Sequence, residues 1–97
     1  MDPKERLFDR HNDLVTVYSA ECNEGIKVSD DYFALADSKI NGIELTKEEV
    51  SKVVRKYGVC EFSGELYVIH KGERFTAEYN DKVQNLRRAV HELSNMT

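Results

Sequence analysis

The chain has 97 residues, 33% of them charged, and a formal net charge of −4. That length supports one domain with a modest core, read as residues 1–97. The longest apolar runs are a few residues, against the roughly 20 of a membrane-spanning helix, so a membrane protein is excluded as an expectation.

Pro3 suits the first turn of a helix, with Asp2 as its N-cap. Leu7, His11, Leu14 and Tyr18 follow at helical spacing, and Phe8 and Val15 widen the stripe, which predicts an amphipathic helix to about residue 20. The β-branched run Val15, Thr16 and Val17 favours extended structure near its end. Residues 21–31 read as a polar loop around Asn23 and Gly25, with room for a short strand at Ile26, Lys27 and Val28. Asn41-Gly42 between Ile40 and Ile43 is a strong hairpin signal, because both central residues of a type I′ turn need positive φ. Residues 32–45 are therefore expected to form a β-hairpin.

Thr46 with Glu49 three residues later makes a capping box. Val50, Val53, Val54 and Tyr57 continue as a helical stripe, and Gly58 stands at the stop position. A three-stranded meander is predicted next, over residues 59–62, 65–70 and 73–79, turned at Ser63-Gly64 and Lys71-Gly72. One face of it carries Val59, Leu66, Val68, Phe75, Ala77 and Tyr79; the other carries Cys60, Phe62, Tyr67 and Ile69. Because both faces are apolar, the sheet is expected to be covered on both sides, by its own helices or by a partner. Asn80 or Asp81 is expected to cap a last helix, whose Val83, Leu86, Val90 and Leu93 seam would pack on the sheet or join a homodimer. The predicted fold class is α+β: helix, hairpin, helix, three-stranded antiparallel meander, helix.

Residues 37–48 resemble an EF-hand calcium loop, with Asp37, Asn41, Gly42 and Glu48 at its first, fifth, sixth and twelfth positions. The resemblance implies calcium on the Asp37, Asn41 and Glu48 side chains and the Ile43 carbonyl. Lys39 stands where the third ligand belongs, Glu44 replaces the usual aliphatic residue, and the sequence holds no sister loop. The hairpin reading explains Asn41-Gly42 without a metal, and none is expected.

His11, His70 and His91 are scattered, with no H-E-x-x-H or C-x-x-C spacing, so they are read as surface or boundary residues. Cys60 is read as a buried, inert thiol. Asp30-Asp31 and Glu48-Glu49 are placed at solvent-facing positions, and no phosphate-binding loop is present. An enzyme and a bound cofactor are therefore not expected. No apolar stretch follows the charged start Met-Asp-Pro-Lys-Glu-Arg, so a cytoplasmic chain with Cys22 and Cys60 reduced is expected.

Charge divides unevenly: residues 1–50 carry 12 Asp+Glu against 6 Lys+Arg, whereas residues 51–97 carry 6 against 8. The leading expectation is a non-enzymatic protein-binding module, a regulator or inhibitor of a larger protein of the kind that phages and mobile elements encode. Phe62, Tyr67 and Ile69 on the second sheet face, with Arg74, are its candidate contacts. An acidic face of Asp9, Asp13, Glu21, Glu24, Asp30 and Asp31 would attract basic partners or imitate nucleic acid. The alternative is nucleic-acid binding by Lys52, Arg55, Lys71, Arg74 and Arg87 with the sheet aromatics, against which an isoelectric point near 5.3 argues.

Overall fold

The computed structural model describes residues 6–96, which form four strands and three helices. In chain order these are β1 (Tyr18–Cys22), β2 (Gly25–Ser29), α1 (Phe33–Ile40), α2 (Lys47–Tyr57), β3 (Cys60–Phe62), β4 (Glu65–His70) and α3 (Ala77–Ser94). The α+β class expected from the sequence holds. The strands make one antiparallel sheet of order β1-β2-β4-β3, four strands and not three.

The first expected helix is absent from the described residues; its predicted cap, Asp2 with Pro3, lies outside them. Residues 6–17 form an irregular segment closed by a bridge between Phe8 and Leu14. The Asp9 carboxylate accepts from the backbone N–H groups of His11 at 2.8 Å and Asp13 at 3.1 Å, an alternative to helical hydrogen bonding. The β-branched run then leads into β1, and Asn23-Glu24 turns the chain into β2. The segment read as a polar loop is thus a hairpin, with Ile26, Lys27 and Val28 inside β2 as expected.

The hairpin expected over residues 32–45 is replaced by α1. Asn41-Gly42 ends that helix instead of turning two strands. Gly42, at φ 74°, donates to the Lys39 carbonyl and Ile43 donates to the Ser38 carbonyl, the paired bonds of a Schellman stop. The same tolerance of positive φ serves a type I′ turn and a helix stop, so the dipeptide cannot distinguish them.

The second helix forms as predicted. Thr46 accepts from Glu49 N–H while Glu49 accepts from Thr46 N–H, and Gly58 caps the far end. The β3–β4 hairpin turns on Ser63-Gly64, both at positive φ, and pairs Cys60 with Tyr67 as expected. The third meander strand does not form. Residues 71–76 are a loop in which Phe75 is left-handed, and Thr76 caps α3 by accepting from Tyr79 N–H at 3.1 Å. That cap lies four residues before the expected Asn80. The vacant side of β4 is taken by β2, which pairs Ile26 with His70 and Val28 with Val68.

Leu86, Val90 and Leu93 of α3 are fully buried and pack with the sheet residues Ile26, Val28, Leu66 and Val68. The α3 seam is therefore core and is not available to a dimer. α3 packs on β4 and against both α1 and α2. The helices cover only the sheet face that carries these buried residues. No helix among the described residues is long and apolar enough to cross a membrane.

Candidate functional site

Side-chain alternation sets what the opposite face of the sheet displays. The pairing places Cys60, Tyr67, Ser29 and Tyr18 in one row across the four strands, with Ile69, Lys27 and Ala20 in the next. Phe62 and Glu65 pair beside them. Phe62 is 70% exposed and Tyr18 57%, while Tyr67 and Ile69 are half-buried. The expected second apolar face is thus covered by no helix among the described residues, contrary to the expected cover from the chain's own helices, and three of the four candidate contacts lie on it. Near its centre Glu65 accepts from Lys27 Nζ at 2.8 Å and from Ser29 Oγ at 2.6 Å. Lys27 also lies 4.9 Å from the centre of the Tyr67 ring. Burial alone would push the Glu65 carboxyl up, but these two hydrogen bonds outweigh it and hold it below its ordinary value. The same contact raises the Lys27 ammonium, so the pair stays ionised.

Arg74 is separated from that patch. It follows β4 and borders a shallow depression with Glu21 and Cys22, whereas Phe62 pairs with Glu65 where β4 begins. Six strand residues at ~3.3 Å each put about 16 Å between those ends. The other basic candidates are dispersed as well: Lys52 and Arg55 are exposed on α2, Lys71 is exposed in the loop after β4, and Arg87 is half-buried on α3.

Several expected environments change. Cys60 is exposed rather than buried, because β3 is an edge strand on the bare face. Cys22 sits on the opposite edge strand, three strand spacings or about 14 Å across the sheet and four residues further along it, too far for a disulfide. His70 is buried, not at the surface; its Nε2 donates to the Glu73 carbonyl at 3.0 Å, and its Nδ1 has no hydrogen-bond partner. His70 and Cys60 point to opposite faces of the sheet.

Asp30 also departs from its expected solvent-facing position. It is 1% exposed, and its carboxylate accepts from the N–H groups of Tyr32, Ala34 and Leu66, each at 3.0 Å. Burial raises the carboxyl above its ordinary range despite those bonds. The carboxylate joins the start of α1 to β4.

A second surface was not foreseen as a unit. A groove of about 590 Å³ runs between residues 9–16 and α1. Its lining includes Asp9, Asp13, Asp30, Asp31 and Asp37, so the fold gathers four of the six residues of the expected acidic face and adds Asp37. Glu21 and Glu24 stay outside, on the β1–β2 hairpin. Asp37 accepts from Arg10 Nε at 2.9 Å and from His11 Nε2 at 2.8 Å. The Asp37 hydrogen bond raises the His11 imidazole above its ordinary value. Asp37 begins the calcium-loop resemblance, yet residues 37–40 are helical and that carboxylate is already engaged, so the loop does not have EF-hand form. Among the described residues no group of three or more His, Cys, Asp or Glu is placed to hold a metal ion.

The chain matches no protein family, no curated protein and no solved structure.

Proposed function

We propose that this protein is a small non-enzymatic binding module that docks on a larger protein through the open face of its sheet, acting as a regulator or inhibitor. The supporting observation is the uncovered patch of Tyr18, Phe62, Tyr67 and Ile69 around a self-neutralised Lys27–Glu65 pair. Exposed aromatics on a rigid surface supply apolar area at small entropic loss, and an internally paired charge needs no counter-ion from the partner. Free thiols that cannot pair within the chain fit a reducing compartment, so the cytoplasm is the proposed setting.

Affinity capture from the source lysate, with wild type and Phe62→Ser compared, tests this reading. Wild type should retain a stoichiometric protein through nuclease treatment, and Phe62→Ser should release it. Thermal stability should change by less than about 0.5 kcal/mol, because Phe62 is a surface residue. Retention of the same protein by Phe62→Ser would remove the sheet face from the reading. Recovery that collapses with nuclease, and that Arg74→Glu weakens with a shallower salt dependence, would replace it with nucleic-acid binding.

A further inference from the structure

We propose that the groove between residues 9–16 and α1 is a second docking site, adjoining the sheet face at Tyr18, and that its occupant is a basic segment of a partner protein with apolar side chains beside its arginines or lysines. Seven large hydrophobic side chains are exposed among the described residues, and four of them, Leu14, Tyr18, Tyr32 and Ile40, line this one groove. Leu14 is 58% exposed and Ile40 83%, a concentration that ordinary scatter of surface apolar residues does not require. Its volume falls within the range of about 300–1,000 Å³ typical of ligand sites.

Charge selects the occupant. No lysine, arginine or histidine lines the groove, whereas five aspartates do. Three of those have structural duties: Asp9 and Asp30 accept backbone N–H groups, and Asp37 holds Arg10 and His11. Asp13 and Asp31 are exposed and make no ion pair among the described residues, so they remain to meet a cation. The apolar surface calls for an aliphatic or aromatic neighbour beside that cation, and the faces of Tyr18 and Tyr32 favour a guanidinium. An anionic ligand is repelled, and a purely apolar one leaves the aspartates desolvated without compensation. The rim is also preorganised: Asp31 and Tyr32 both adopt left-handed backbone, and Tyr32 N–H is bound by Asp30.

Fluorescence anisotropy with a short labelled peptide alternating arginine and leucine tests the proposal, with a glutamate–leucine peptide and oligoarginine as controls. Wild type should bind the arginine–leucine peptide saturably, oligoarginine more weakly and the glutamate–leucine peptide not at all. Asp13→Asn with Asp31→Asn should weaken binding about fivefold. Leu14→Ser should weaken it about tenfold. All three positions are exposed, and thermal melts verify that each variant folds. Phe62→Ser, on the sheet face, should leave the affinity unchanged, so failure here is distinguishable from failure of the sheet-face reading. Absence of saturable binding overturns the proposal. So does oligoarginine binding as tightly as the arginine–leucine peptide, or sensitivity to Phe62→Ser in place of the groove substitutions.

Discussion

Asp30 shows how one side chain joins distant parts of this molecule. Its two oxygens serve three backbone donors, two at the start of α1 and one on β4, 36 residues away. Asp30→Ala would leave all three donors in a buried site. At about 1 kcal/mol for each unsatisfied group, the expected loss is ~3 kcal/mol, measured by chemical denaturation. An unchanged midpoint would mean that the donors find water. Nothing in Asp30-Asp31 as a sequence separates this buried cap from an exposed loop pair, because the decisive donor, Leu66, is non-local. His11 makes a comparable but exposed contact with Asp37. Its raised folded value means that the contact favours the fold fully below the ordinary 6.5 and loses that effect as pH rises through the folded value. In NMR titrations His11 should titrate above 6.5, and Asp37→Asn should lower its midpoint. An identical midpoint in both proteins would dissolve the pairing.

At the scale of elements, α2 was fully legible because its signals are local: Thr46, Glu49 and Gly58 each act within a few residues of the helix ends. The β3–β4 turn was legible for the same reason. The hairpin of β1 and β2 was not, since Asn23-Glu24 lacks a strong turn signature and β2 depends on the distant β4 for its second hydrogen-bonded neighbour. Gly25 records that dependence. It has φ 134°, and a Cβ there would lie 2.3 Å from the His70 carbonyl oxygen. Gly25→Ala should therefore lower stability by about 2–4 kcal/mol. Gly42→Ala meets no atom within 4 Å and should lose only about 1 kcal/mol through its left-handed backbone. Equal melting shifts for the two would contradict the close approach of β2 and β4.

At the scale of the whole molecule, both candidate surfaces follow from a one-sided arrangement of layers. α3 lies on β4, and α1 and α2 pack against α3, so no helix among the described residues remains for the other sheet face. Residues 6–17 are then drawn to the helical layer: Arg10 N–H donates to Ser94 Oγ, and His91 Nδ1 donates to the Phe8 carbonyl. That docking sets Asp9, Asp13 and Leu14 opposite α1 and creates the groove. By itself the sequence determined the α+β class, α2 with both caps, the β3–β4 hairpin with apolar residues on both its faces, and the acidic bias of the first half. Each of these rests on hydrogen bonds, side-chain periods or charge counts within a few residues. Tertiary structure alone decided the strand order β1-β2-β4-β3, the helix at Phe33–Ile40, the burial of Asp30 and His70, and which face stays bare. Those outcomes depend on partners dozens of residues apart, whose packing and backbone hydrogen bonds outweigh local preferences of about a kilocalorie per mole or less.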